Sequence, residues 1–141
     1  MRIVLNVEQK YADTLRHALE NDPKIVRKGS FQAHSTLSYY ENMMIRTTVS
    51  GYNDYAPATQ CNIKIPTGDI LEQVVEGTWL ANRNDQPGTP NAAIIVFDPT
   101  KTDLVVTYYT GNDALEWNVT DENRQAIRES LRPPSVEPPP V

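Results

Sequence analysis

The stretch AAIIVFDPTKTDLVVTYY, residues 92–109, constrains the fold more than any other part of the chain. Two runs rich in β-branched residues flank the turn-rich DPTKTD, the pattern of an antiparallel hairpin. The AIIVF run is apolar at consecutive positions, and successive strand side chains point to opposite faces of a sheet. This strand is therefore expected at the centre of its sheet, covered on each side.

The remaining segments supply partners for it. RIVLNV (2–7) reads as a first strand. From Glu8 to Asn21 the positions Tyr11, Leu15, Ala18 and Leu19 recur at helical spacing, and Asp22-Pro23 stops that helix. KIVRKGSF (24–31) reads as an exposed edge strand whose Arg27 and Lys28 discourage unwanted pairing. Met43, Ile45, Thr47 and Val49 alternate with Met44, Arg46 and Thr48, which predicts a half-buried strand ending at Gly51. CNIKIP (61–66) is a further short strand candidate. Asp69 and Glu72 form a capping box for a helix carrying Ile70, Leu71, Val74, Val75 and Trp79 on one side. ANRNDQPGTPN (81–91) has the composition of a loop. TDENRQAIRESL (120–131) reads as a last helix with Ala126, Ile127 and Leu131 facing inward.

The order β-α-β-β-β-α-ββ-α predicts an α+β domain: a mostly antiparallel sheet of about five to six strands packed by two or three helices. At 141 residues the chain fits one domain. It is expected over 1–132, with 133–141 as an extended tail where five of the eleven prolines gather.

The chemistry is constrained mainly by exclusion. His17, His34 and Cys61 are the only imidazole or thiol groups, and none is close in sequence to another, so no metal site is proposed. His34-Ser35-Thr36 would be half of a paired His-x-Thr/Ser arrangement, but His17-Ala18-Leu19 lacks the second hydroxyl. His34 stays as a lone acid–base candidate for a small hydrolase, the third of three functional readings. No Gly-x-Ser-x-Gly elbow and no glycine-rich phosphate loop occurs, so no cofactor is implied and catalysis is the minority reading. The net charge of −5 argues against nucleic acid as partner. No window approaches the ~18 apolar residues of a membrane helix. A single cysteine and an amino terminus that turns polar early favour a cytoplasmic protein.

Aromatic residues carry the positive signal. SYYENMMIRTTVSGYNDY (38–55) holds four of the seven tyrosines. Neighbours on a strand diverge, so one ring of the pair Tyr39 and Tyr40, and one of Tyr108 and Tyr109, is expected to meet solvent, a partner or a second layer. Tyr52, Tyr55 and Trp79 extend the aromatic set, and Arg46 and Arg83 can meet a carboxylate or phosphate. The leading expectation is a non-catalytic inhibitor or accessory factor, homodimeric, acting through protein–protein contact. The alternative is capture of a small anionic, nucleotide-like ligand by aromatic stacking and arginine. A deep pocket with convergent arginines favours the ligand, and a flat apolar patch favours the protein partner.

Overall fold

The computed structural model describes residues 1–42, 44–79 and 88–141, with the backbone alone described at 78 and 79. In chain order the elements are β1 (Arg2–Asn6), α1 (Gln9–Asn21), α2 (Pro23–Lys28), β2 (Ala33–Glu41), β3 (Met44–Tyr52) and β4 (Thr59–Cys61), then α3 (Ile65–Trp79), β5 (Asn91–Phe97), β6 (Val105–Thr110), α4 (Asn112–Leu115) and α5 (Arg124–Ser130). The six strands form one sheet in the order β1-β6-β5-β2-β3-β4, and every neighbouring pair is antiparallel. The fold is thus the α+β architecture that the pattern of strands and helices implies.

The β5–β6 hairpin takes its expected place inside the sheet, and alternation along β5 sorts its side chains into two cores. Ala93, Ile95 and Phe97 pack with Leu15 and Leu19 of α1 and Leu71 and Val75 of α3. Ala92 and Ile94 pack on the opposite face with Ala114 of α4 and Ile127 and Leu131 of α5. Three layers result, helices above and below one sheet. Each fully buried aliphatic side chain contributes about 1.5–3 kcal/mol, so both layers matter to stability.

Several local expectations are corrected. Residues 24–28 are helical rather than a strand. Asp22 ends α1 and caps α2, its Oδ1 accepting from the Lys24 N–H at 2.8 Å, and Pro23 sits in the first turn, where its missing N–H costs nothing. The same carboxylate accepts from the Lys64 N–H at 2.8 Å through Oδ2, at the start of α3. That helix begins at Ile65, four residues before the expected Asp69, because Pro66 also suits a first turn. β4 ends at Cys61, so the strand expected over 61–66 lies earlier. In α1 the buried stripe is Ala12, Leu15 and Leu19, leaving Tyr11 48 % exposed. In α5 Ala126 is exposed and Arg128 is buried beside Ile127.

The segment after α5 lies on its own domain. Val136 is buried with Ala33, Tyr52 and Ala58. Ser135 Oγ donates to Asp98 Oδ1 at 2.8 Å, and the Glu137 N–H donates to Asp54 Oδ1 at 2.9 Å. Arg132 ties this segment down, its Nη1 donating to the Asn53 and Glu137 carbonyls at 3.1 and 3.2 Å.

Candidate functional site

The site lies where the sheet runs out. β4 pairs with β3 only from Val49 to Gly51, so among the described residues the outer side of β3 from Met44 to Thr48 has no strand beside it. This corrects the expectation of a half-buried strand: residues 44–47 are all exposed, because among the described residues neither an outer strand nor a full helical layer reaches them. Alternation still operates here. Arg46 lies opposite Tyr39 and Thr48 opposite Leu37, which places all four on the α5 side of the sheet. Ile45 lies opposite Tyr40 on the α3 side.

Helix α5 completes the first face. Arg124, Ile127, Arg128 and Leu131 fall at i, i+3, i+4 and i+7, so they share one stripe. The helix is held against the β3–β4 connection by two bonds: the Ala58 N–H donates to Glu129 Oε1 at 2.6 Å, and Gln125 Nε2 donates to the Ala58 carbonyl at 3.0 Å. Ile127 and Leu131 enter the core, while Arg124 and Arg128 line a cleft of about 350 Å³ together with Tyr39, Arg46, Thr48 and Gln60.

The three arginines differ in how they are satisfied. Arg46 donates to Asn118 Oδ1 at 2.6 Å and lies over the Tyr39 ring, 5.9 Å from its centroid. Arg124 meets Asp121 at 2.9 Å near the surface. Arg128 is only 6 % exposed, and its Nε has no hydrogen-bond partner among the described residues. Burial, with Arg124 beside it, pushes its pKa down, yet guanidinium stays protonated in proteins. A buried cation thus lines the cleft, with no carboxylate among the described residues paired to it.

Other groups in the cleft do not ionise near neutrality. Burial and the neighbouring Glu41, whose Oε2 accepts from the Tyr39 hydroxyl at 3.0 Å, push Tyr39 up to about 12. Burial pushes the Cys61 thiol up to about 11, so it is not a ready nucleophile. A second cleft, of about 290 Å³, opens on the other side of β3. Its walls are Ile45, Ile63, Leu71 and Val75, with Glu72 and Glu76 at its rim.

The residues singled out from sequence separate into distinct places. The two tyrosine pairs do diverge, but both faces of the sheet are covered by helices. Tyr39 is buried in the α5 core and Tyr108 in the α3 core. Tyr40 and Tyr109 are partly buried against the opposite cores, Tyr109 stacking at 5.5 Å on Trp117. Tyr108 donates its hydroxyl to the Val75 carbonyl at 2.7 Å. Tyr52 is fully buried, donating to the Arg128 carbonyl at 2.8 Å, with Ser35 Oγ 2.7 Å from its hydroxyl. Of the tyrosines expected to bind, only Tyr55, 67 % exposed at a positive φ of 63°, stands clear of a core. Arg83 and the Trp79 side chain lie outside the described residues.

His34 is buried, and desolvation lowers its pKa to about 4. Its Nε2 has no hydrogen-bond partner among the described residues, and Glu20 lines the same clefts as His34. No three His, Cys, Asp or Glu side chains gather as a metal site among the described residues, and no described helix is long and apolar enough to cross a membrane. Arg124 and Arg128 were missed in the sequence, although their spacing with Ile127 and Leu131 was there to find them. Comparison with protein-family models, curated proteins and solved structures returned no match for this chain.

Proposed function

We propose that the protein is a binding protein that captures an anionic group in the cleft between β3 and α5. The observation that supports this most directly is Arg128. An isolated buried charge costs several kcal/mol and buried charges are normally paired, so a counter-charge arriving from elsewhere would offset that cost. Arg124 and Arg46 stand on the same cleft, so an incoming carboxylate or phosphate would meet up to three guanidinium groups, each able to donate in pairs. Convergent arginine beside an aromatic wall is the arrangement that favours an anionic ligand over a flat apolar contact.

The proposal keeps the cytoplasm as the site of action and a protein or small anionic molecule as the ligand. Homodimerisation remains part of it and is checked by light scattering, where a strict monomer at high concentration removes it. Anion capture is tested by thermal denaturation at low ionic strength with inorganic phosphate or citrate added. The native chain is expected to gain stability with anion concentration, and Arg128→Met is expected to lose that gain. An equal gain in both proteins overturns the reading.

A further inference from the structure

The anion cleft is one of two that flank the same open strand edge, and their placement specifies what carries the anion. We propose that the partner is an extended polypeptide segment, alternating acidic with apolar side chains, which adds as a strand to the β3 edge at residues 44–48. The inference rests on the anion-cleft reading and deepens it.

β4 occupies the outer side of β3 at Val49–Gly51, and no described strand pairs with that side at residues 44–48, where Asn62 and Ile63 line the two flanking clefts. An added strand continuing in line with β4 would find the alternate N–H and C=O groups of residues 44–48 turned towards it. Side chains on such a strand point alternately to the two faces of the sheet. One set would therefore enter the cleft of Arg46, Arg124 and Arg128, and the other the cleft of Ile45, Ile63 and Leu71.

Charge fixes the register. An acid in the first cleft meets Arg128, whose Nε has no hydrogen-bond partner among the described residues, whereas a slip by one residue carries every acid to the side of Glu72 and Glu76. The two clefts thus reject each other's side chains. A second copy of this chain fits the edge poorly. Pairing β3 with itself sets exposed Arg46 of each copy near the other, with no acid at positions 44–48 to meet them. A free anion would fill one cleft only and leave the edge and the apolar cleft uncovered.

The test uses short capped peptides of equal composition. One alternates Glu with Leu, and one groups the same residues in two blocks. Further versions of the alternating peptide carry N-methyl groups on odd or on even positions. Affinity is measured by calorimetry, and the contact is mapped from backbone amide shifts of the full chain. The alternating peptide is expected to bind at least about tenfold tighter than the block isomer, and to shift the amides of residues 44–48. N-methylation of one parity is expected to weaken binding at least about tenfold, and of the other parity far less, because only alternate N–H groups face β3. Arg128→Met is expected to lose about tenfold or more of the preference for the Glu–Leu peptide over its Gln–Leu analogue, and an unchanged preference overturns the role of Arg128. If N-methylation of neither parity weakens binding while inorganic phosphate shifts residues 124 and 128, strand addition is overturned and the anion cleft stands. If neither peptide nor phosphate shifts either region, both readings fall.

Discussion

Arg128→Met separates stability from binding, and the two responses should run in opposite directions. The native side chain is 94 % removed from solvent, being 6 % exposed, and carries a charge that no described carboxylate meets. Methionine keeps an unbranched stem of similar reach in the same buried place but has no charge to desolvate. Replacing buried ionic groups with packed apolar ones of similar volume stabilises by about 1–4 kcal/mol. At about 2–4 °C per kcal/mol for a chain near this size, the melting temperature in anion-free, low-salt buffer should rise by roughly 3–10 °C. Binding should move the other way. One lost charge-assisted hydrogen bond costs about 1.5–3 kcal/mol, so affinity for an acidic ligand should fall by about ten- to a hundredfold. Arg128→Ala serves as the contrast, because it removes the buried stem as well and should destabilise. Urea denaturation supplies the free energies, and calorimetry the affinities. A methionine variant that loses more than about 1 kcal/mol in anion-free buffer, with ligand affinity intact, would refute the argument, since the guanidinium would then be satisfied within the fold.

Three further outcomes follow from the core. His34 has a folded pKa near 4 against an ordinary 6.5, so its contribution is fully present above about pH 6.5 and is lost as pH falls towards 4. His34→Leu should therefore remove about 3 kcal/mol of the stability change over that window, measured as the difference between the two proteins' denaturation curves. At Gly51 an added methyl would sit 2.5 Å from Phe31 Cγ, at the root of the ring where rotation gives little relief. Gly51→Ala should cost about 1–3 kcal/mol on its own and much less in a Phe31→Ala background, a coupling that a double-mutant cycle reads directly. Asp22→Ala leaves the N–H groups of Lys24 and Lys64 without their acceptor and should cost about 2–4 kcal/mol, with hydrogen exchange at both amides accelerating. Burial acts to raise the Asp22 pKa, but bonds from Thr67, Lys64, Lys24 and Ile25 outweigh it and lower the pKa, so this contribution is present at neutral pH and lost on acidification.

What the chain reveals by inspection is what local pattern can carry. The β5–β6 hairpin is legible because its apolar alternation and its turn lie within a few residues of each other. The end of α1 is legible for the same reason, since Asp22-Pro23 is a local stop. Residues 24–28 mislead because Ile25 and Val26 favour strands, while the deciding features, an aspartate cap and a proline in the first turn, also belong to the end of the preceding helix. Arg46 could be singled out from its strand. Arg128 could not be paired with it, because the two meet only through β3, the β3–β4 connection and α5, and the separation in sequence hides that meeting. The tyrosine rings diverge as strand geometry requires, but divergence alone exposes neither of them. Divergent rings need an uncovered face, and α5 and α3 cover both.

The same three-layer arrangement explains why an opening occurs at the end of β3. Helices on both faces cover the central strands, so a ligand can reach the sheet only at an edge or where the helical layers stop. β1 forms the other edge, and its side chains alternate between exposed and half-buried along a strand only five residues long. At β3 the outer strand is three residues long, leaving most of a nine-residue strand beyond it. Natural sheets usually guard such an edge with charge, and Arg46 does so against a second copy. A guard needs only exposed charge, however, and Arg128 is buried. Placing a second cation beneath the surface, behind the guarding one, adds nothing to protection and lowers the stability of the unliganded chain. Its position accords with recognition of an acid that arrives along the edge.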